Sequence, residues 1–320
     1  PPRSTLFPYT TLFRSKVINA LAKKIPELIG GSADLTPSNN TWIDGEDDFQ
    51  YGHENGRNIH FGVREHAMGS ILNGIALYGG FIPYGASFLV FTDYVRPAIR
   101  ISALSKIPVK WVFTHDSIGV GEDGPTHQPI EHLASLRAMP GLVDLRPADA
   151  NEVREAWKVA LRTQDKPVLL VFSRQNLPTL DREKFHSAEG VAKGAYVLSD
   201  FGSKKPQVIL IASGSEVSLV VKAAEKLLEK GIRSRVVSMP SWFLFDQQDQ
   251  AYKDSVLLPD IQNRVAVEAA SKFGWEKWVG REGKIIGLDR FGKSGKFEDI
   301  YSYFGFSVEN IIKNVEELMQ

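Results

Sequence analysis

The sequence contains no cysteine, no long apolar run and no excess of charge of either sign. Without cysteine there can be no disulfide, no thiolate nucleophile and no cysteine-ligated metal. The 38 basic and 38 acidic side chains cancel, so no net field would draw the protein to nucleic acid or to an anionic membrane. No apolar stretch approaches the roughly 18 residues that a membrane helix needs. We therefore expect a soluble, cytoplasmic protein that binds neither nucleic acid nor membranes.

The 320 residues suit two domains of about 150 residues each. A hydrophobic content of 43% and a charged content of 24% are typical of a globular protein. Strand and helix patterns alternate along the chain, which predicts mostly parallel sheets with helices on both faces. The predicted fold class is therefore α/β, with one domain at 16–180, a polar linker at 181–193 and a second domain at 194–320.

Residues 1–15 do not fit this pattern. They have neither helical nor alternating periodicity, and the triplet Thr5-Leu-Phe7 recurs as Thr11-Leu-Phe13. The run from residue 5 to residue 15 looks like the in-frame translation of a DNA-sequencing adapter. We interpret residues 1–15 as a non-native segment ahead of a truncated reading frame, and a natural extension is the alternative.

The individual elements follow from hydrophobic periodicity and from turn residues. Strands are predicted at 28–29, 59–63, 81–84, 108–114, 168–172, 207–212, 233–238, 264–268 and 284–288. Helices are predicted at 17–28, 65–78, 88–104, 149–161, 216–230 and 308–319. Asp149 or Asn151 is available as the N-cap of the fourth helix. Ser213 to Glu216, between a strand and a helix, could start an anion site, but we interpret it as a plain connection.

Three unusual loops follow predicted strands, and the carboxyl ends of parallel strands are where such sheets place their sites. They lie at 30–39, 62–66 and 115–128. The third combines glycines and a proline with two imidazoles and three carboxylates, from His115, Asp116, Glu122, Asp123 and His127. A single histidine would more often be structural, but this set suits proton transfer and hydrogen bonds to hydroxyls near neutral pH. No histidine spacing matches a standard metal-ligand pair, so no metal site is predicted.

Glu65 is predicted at the point where a strand turns into a helix. A solvated acid favoured by the helix dipole is the ordinary explanation for such a residue. Phe88, Phe91 and Tyr94 recur at i, i+3 and i+6 in the same domain, a pattern that is often only core. Together, however, a carboxylate and an aromatic stripe supply the polar anchor and the stacking faces that a flat heteroaromatic ligand needs.

Five segments resemble the transketolase family and occur in the family's order. They are GGSADLTPSN at 30–39, FGVREHAMG at 61–69, THDSIGVGEDGPTHQP at 114–129, SRQNLP at 173–178 and SMPS at 238–241. The resemblance extends over 16–320 and implies a thiamine-diphosphate enzyme, usually a homodimer. Such an enzyme moves a two-carbon ketol unit from a ketose phosphate to an aldose phosphate in the pentose phosphate pathway. The two domains resemble the family's pyrimidine-binding and C-terminal domains.

The resemblance also implies cofactor contacts. Glu65 would hydrogen-bond the pyrimidine ring and help to activate the cofactor, and an apolar pocket favours a carboxyl group that shares a proton. Phe88, Phe91 and Tyr94 would form the pyrimidine pocket. Asp34 would lie near the cofactor at the subunit interface.

Substrate contacts follow in the same way. His115 and Asp123 would contact substrate hydroxyls, while Ser38, His127 and Arg174 would hold the substrate phosphate. The resemblance thereby implies Glu65, His115 and His127 as the catalytic residues.

The family's diphosphate-binding domain carries a Gly-Asp-Gly run that ends in Asn, and no such run occurs here. We therefore expect the ligands of Mg²⁺ or Ca²⁺ in a missing domain, and we expect this chain alone to be inactive. The family's phosphate-binding arginine falls within residues 1–15, so Arg14 is not given that role.

Three alternatives stay open at this point. A natural split transketolase would receive its diphosphate-binding domain from a separate chain. A related enzyme, deoxyxylulose-phosphate synthase or the beta subunit of a 2-oxoacid dehydrogenase, would share the cofactor, but both histidines of the 114–129 segment favour transketolase. A non-catalytic scaffold would not require Glu65, His115 and His127.

Overall fold

The computed structural model describes residues 10–320, with side chains from Ser15 onward. Residues 1–9 of the segment interpreted as non-native lie outside the described residues. The remainder of that segment lies in the first helix, α1 (Thr10–Ala22), which begins earlier than the predicted helix. No helix within 10–320 has the length and apolar character needed to cross a bilayer.

The first sheet has six parallel strands in the spatial order β2-β1-β3-β4-β6-β5. Their bounds are Leu28–Ser32 (β1), Asn58–His60 (β2), Ile82–Phe88 (β3), Lys110–Thr114 (β4), Val143–Leu145 (β5) and Val168–Val171 (β6). The helices between them are Thr36–Asn39 (α2), Glu65–Tyr78 (α3), Thr92–Leu104 (α4), His132–Arg137 (α5) and Ala150–Arg162 (α6).

Helices cover both faces of this sheet because successive side chains of a strand point to opposite sides. Trp111 and Phe113 of β4 pack in a hydrophobic cluster with α3, α4 and α5. Val112, between them, packs in a second cluster with α1 and α6. The predicted parallel sheet with two covered faces is therefore confirmed.

The second sheet has five strands in the order β11-β10-β8-β9-β7, and β7 alone runs antiparallel to its neighbour. The strands are Tyr196–Phe201 (β7), Val208–Ala212 (β8), Ser234–Ser238 (β9), Arg264–Ser271 (β10) and Lys284–Leu288 (β11). The helices are Glu216–Glu229 (α7), Trp242–Asp246 (α8), Gln250–Val256 (α9), Glu276–Val279 (α10), Phe297–Tyr303 (α11) and Val308–Leu318 (α12). This sheet is mostly parallel, as predicted.

Some predicted elements differ from the structure. The helix predicted over 17–28 ends at Ala22, because Leu28 already belongs to β1. The helix predicted from residue 88 begins at Thr92, since Phe88 is the last residue of β3 and residues 89–91 form a 3₁₀ turn. Asp149 is the N-cap of α6, and its side chain accepts a hydrogen bond from the Glu152 amide. The edge strand β7 is not among the predicted elements.

Candidate active site

A cleft of about 660 Å³ opens at the carboxyl end of the first sheet. Its walls come from the ends of neighbouring strands and from the segments that follow them, which is where parallel sheets bind ligands. The lining residues are Ala33, Asp34, Leu35, Val63, Arg64, Glu65, His66, Phe88, Phe91, Tyr94 and His127. The cleft therefore brings together all five predicted cofactor contacts and one of the two predicted catalytic histidines.

Glu65 is the first residue of α3 and lies in the wall of this cleft. Gly62 adopts a φ of 65°, which other residues rarely tolerate, where the chain turns from β2 toward the helix. Only 7% of Glu65 is exposed, so it is not the solvated first-turn acid of the ordinary explanation. Glu65 shares the lining of the cleft with Phe88 and Phe91 and lies at the positive end of the α3 dipole.

The aromatic wall is built by a change of backbone conformation. Phe88 ends β3, Phe91 ends the 3₁₀ turn, and Tyr94 lies in the first turn of α4. The rings of Phe88 and Phe91 are nearly parallel, at 9°, with centroids 5.8 Å apart. Tyr94 lies 6.0 Å from Phe91 and is 62% exposed, which places it at the mouth of the cleft. Two stacked rings thus form the inner wall.

His115 lies directly behind this wall. Its ring stacks on Phe88 with centroids 3.6 Å apart, and the residue is almost fully buried. Its φ of 60° is uncommon for a non-glycine residue, and such strain is concentrated at functional sites. His115 is not among the residues that line the cleft, and its ring is stacked on Phe88, which is.

A chain of buried hydrogen bonds sets the tautomer of His115. The Asn39 amide donates to Ser32 Oγ at 2.6 Å, so its oxygen accepts from Thr114 Oγ1 at 2.7 Å. The Thr114 hydroxyl has only one proton, and it donates that proton to the hydrogen bond with Asn39. His115 Nδ1, at 2.8 Å from Thr114 Oγ1, must therefore be the donor. Nδ1 therefore carries a proton, and this contact orients the ring against Thr114.

His127 lines the cleft and contacts the same two rings edge-on. Its ring meets Phe91 at 75° with centroids 5.6 Å apart, and it meets Phe88 at 6.4 Å. Its Nδ1 lies 2.9 Å from Thr126 Oγ1. The half-buried position lets this imidazole contact both the cleft and solvent.

The remaining predicted residues do not line the cleft. Ser38 is exposed in α2, Asp123 is exposed at the end of the 3₁₀ segment Ile118–Asp123, and Arg174 is exposed three residues beyond β6. All three follow strands of the first sheet and so lie at its carboxyl edge. Within the residues that the structure describes, no group of three or more acidic or histidine side chains could hold a metal ion.

Sequence reasoning missed the residues that support this site. Asn39 and Thr114 belong to the quoted segments, but their contact joins positions 75 residues apart. Arg64 and His66 also line the cleft, and their only sequence signal is that they flank Glu65.

A buried ion network, also missed, joins the 115–128 loop to the second domain. Arg146 donates to Asp116 at 2.8 Å and to Glu216 at 2.6 Å. Burial would lower the pKa of Arg146, but Glu216, Asp116 and Glu268 outweigh it and raise the pKa well above its usual range. The Ser213 to Glu216 turn is filled by this guanidinium, which fits a structural connection.

Glu268 extends the network toward α5. Arg137 binds it with two parallel hydrogen bonds of 2.7 and 2.8 Å, and Trp275 Nε1 donates to it at 2.9 Å. Burial would raise the pKa of Glu268, but Arg137 and Arg146 lower it to about 2. The carboxylate is therefore held ionised between two guanidinium groups.

Two protein families match the chain. Residues 9–179 match the family described as "Transketolase, pyrimidine binding domain", and residues 194–307 match "Transketolase-like TK C-terminal domain". Among curated relatives, the transketolase of Geobacillus stearothermophilus is 53% identical over 304 residues, which are 95% of this chain and 46% of that protein. The transketolase of Aquifex aeolicus is 51% identical over 302 residues, 94% of this chain and 44% of that protein.

Solved structures agree with the sequence matches. A Pichia stipitis transketolase in complex with sedoheptulose-7-phosphate superimposes with a TM-score of 0.91 at 45% identity, over 97% of this chain and 45% of that one. The transketolase of Leishmania mexicana superimposes with a TM-score of 0.92 at 44% identity, and the match covers 98% of this chain and 46% of that one. A split gene transketolase described as an inactive beta4 tetramer shares the fold, with a TM-score of 0.76 at 23% identity. The match covers 97% of this chain and 98% of that one. The chain thus spans about half the length of the curated relatives it matches.

Proposed function

Because this chain belongs to the transketolase family, which depends on thiamine diphosphate, we propose that it supplies one half of a ketol-transfer site. The substrates would be a ketose phosphate as donor and an aldose phosphate as acceptor. The observation that carries this proposal is the buried Glu65 carboxylate in a cleft walled by the stacked rings of Phe88 and Phe91.

The residues of the cleft fit the pyrimidine half of the cofactor. Its volume of about 660 Å³ lies within the usual range for ligand pockets. Phe88 and Phe91 offer faces for a flat heteroaromatic ring, Tyr94 closes the mouth, and Glu65 provides a hydrogen-bond partner for a ring nitrogen. Asp34 lies at the rim of the same cleft. When bound, the cofactor supplies the carbon nucleophile that the side chains of the protein lack.

The chain's own residues would position the cofactor and the substrate and would polarise the groups that react. Glu65, buried in the wall of the cleft, would hydrogen-bond the ring nitrogen. His115 and Asp123 would hydrogen-bond substrate hydroxyls. Ser38, His127 and Arg174 would bind the substrate phosphate from the loops at the carboxyl edge.

The diphosphate and its Mg²⁺ or Ca²⁺ ion need a different set of ligands. The Gly-Asp-Gly run is absent from the sequence. We propose that a diphosphate-binding domain supplies these ligands and that the assembled enzyme is a homodimer. An exposed apolar face on α3 and α4 would then be covered, with Ile71, Leu77, Tyr78, Ile101 and Leu104 exposed by 46 to 86%.

A ketol-transfer assay with and without an added diphosphate-binding domain tests the proposal. We expect no turnover by the chain alone and measurable turnover on complementation, which a Glu65→Gln chain should fail to restore. Turnover by the isolated chain would contradict the half-site, and failure of complementation with a correctly bound partner domain would contradict the function.

A further inference from the structure

The 115–128 segment is held in place from the second domain. Ser294 Oγ donates to the carbonyl of Glu122 at 2.6 Å. Gln128 Nε2 donates to the carbonyls of Gly121 at 3.0 Å and Lys293 at 2.8 Å. A backbone strap at 292–296 therefore lies against the outer side of the segment that carries Asp123 and His127.

Tyr301 of α11 makes a second and deeper connection. Its hydroxyl donates to Glu216 Oε1 at 2.9 Å and lies 3.3 Å from Ser117 Oγ. It also accepts from Gln175 Nε2 at 3.4 Å. One oxygen atom from the second domain thus touches the residue two positions after His115 and the residue directly after Arg174.

The contact with Ser117 affects the rest of the segment because Ser117 lies near its start. It is the N-cap of the 3₁₀ segment Ile118–Asp123, and its side chain accepts from the Gly119 amide. Any movement of Ser117 therefore moves the start of the segment that ends at Asp123. Gln175 packs beneath the same turn, because a Cβ on Gly119 would lie 2.5 Å from its amide oxygen.

The Tyr301 hydroxyl is kept as a donor by its surroundings. Burial raises its pKa well above the usual range, and the neighbouring carboxylates of Glu216 and Asp116 raise it further. The other oxygen of Glu216 binds Arg146, which in turn binds Asp116, the residue after His115. The inner connection is therefore continuous from α11 to the strained backbone of His115.

We propose that Tyr301 and Ser294 are positioning residues, through which the C-terminal domain fixes the 115–128 segment and, through Gln175, the position of Arg174. The C-terminal domain would thereby shape the substrate side of the cleft without touching the substrate. The substrate part of this assignment rests on the proposed function, whereas the ordering of the segment does not.

Hydrogen exchange on the 320-residue chain tests the ordering directly. We expect Tyr301→Phe and Ser294→Ala to speed amide exchange in peptides covering 115–128 by roughly fivefold to tenfold, the effect of losing one hydrogen bond to that segment. Peptides from β8 and β10 should be unchanged. The matched control is Tyr252→Phe, which removes a half-buried hydroxyl that donates to Ala195 within the same domain.

Unchanged exchange at 115–128 in both variants would overturn the proposal, as would a uniform rise that Tyr252→Phe reproduces. If Tyr301→Phe does not fold, Ser294→Ala decides, because Ser294 is exposed and its loss cannot disturb the core.

Kinetics of the complemented enzyme separate positioning from general damage. We expect Tyr301→Phe to raise the KM for the aldose phosphate by roughly fivefold, with kcat within about twofold. A fall in kcat with an unchanged KM would overturn the assignment. Absence of ketol transfer by the complemented parent chain would instead overturn the proposed function, and the exchange result would still stand by itself.

Discussion

At the residue scale, a buried chain of polar side chains orients the ring of His115. Ser32, Asn39 and Thr114 are all fully buried and pass hydrogen bonds in one direction, ending on the carbonyl of Ala86. Because every proton in the chain has a defined acceptor, the imidazole is left with only one way to pair its Nδ1. The strained backbone and the Thr114 contact together hold the imidazole in one orientation.

Thr114→Val tests this chain because it keeps the branched shape and removes only the hydroxyl. His115 Nδ1 and Asn39 Oδ1 lose their partner, so we expect the free energy of unfolding to fall by about 1–3 kcal/mol. The NMR chemical shifts of the imidazole nitrogens should show that His115 is no longer protonated at Nδ1 alone. The control is Thr41→Val, because Thr41 is equally buried and its hydroxyl has no partner among the described residues. Equal effects of the two variants would contradict the assigned tautomer.

Glu65 is tested by Glu65→Gln in the complemented enzyme. An amide keeps the shape and a hydrogen bond but cannot share a proton in the same way, so activation of the cofactor should slow by roughly 100-fold. Substrate KM should stay within about twofold. Exchange of the cofactor's acidic proton measures the first quantity and steady-state kinetics the second. A change confined to KM would show that Glu65 acts on substrate instead.

At the element scale, sequence patterns predicted an element correctly where its apolar periodicity and its boundary residues agreed. The predicted helix 65–78 agrees with α3 residue for residue, because Gly62 and Gly79 bound a clear apolar stripe. The pattern failed at Phe88, where β3 passes through a 3₁₀ turn into α4 and hydrophobic residues continue without a break. The edge strand β7 was missed because its antiparallel pairing with β9 is a long-range contact that local alternation does not encode.

The start of α6 offers a test of how one cap can join two elements. Asp149 accepts from the Glu152 amide at 2.8 Å and from the Leu180 amide at 3.0 Å. Both of its carboxylate oxygens also accept from Arg182 Nη2, each at 3.0 Å. We expect Asp149→Ala to lower the free energy of unfolding by about 3 kcal/mol, since the helix cap, the Leu180 amide and the half-buried Arg182 guanidinium lose a shared carboxylate.

Asp249→Ala is the matched control, because Asp249 caps α9 with one bond to Tyr252 and is exposed. Its loss should cost about 1 kcal/mol. Urea denaturation of both variants measures the difference, and equal losses would mean that Asp149 acts as an ordinary cap.

At the scale of the whole molecule, the two domains behave as one packed unit. One hydrophobic cluster contains Val153 and Trp157 of α6 together with Leu210 and Val236 of the second sheet. The ion network of Arg137 and Arg146 crosses the same boundary. The ion network could not be predicted from sequence, because Arg146 and Glu216 are 70 residues apart and the turn at 213–216 gives no indication of its partner.

Glu268 makes the stability of this domain boundary depend on pH. Its pKa is lowered from 4.5 to about 2 in the folded protein, so between these values the unfolded chain binds more protons than the folded one. The stabilisation from this carboxylate is complete above the unfolded value and is lost as the pH falls toward 2. The shift corresponds to about 3 kcal/mol.

We therefore expect Glu268→Gln to lower stability at pH 7 and to flatten the dependence of the unfolding free energy on pH between about 4.5 and 2. Arg137 and Arg146 lose a shared partner in this variant, so its loss at pH 7 should equal or exceed the 3 kcal/mol of the shift. Urea titrations at a series of pH values measure both quantities. Glu309→Gln, on an exposed ion pair with Lys226, should leave both unchanged. A Glu268→Gln chain that kept the parent slope below pH 4.5 would show that other acids, rather than this inter-domain carboxylate, control acid unfolding.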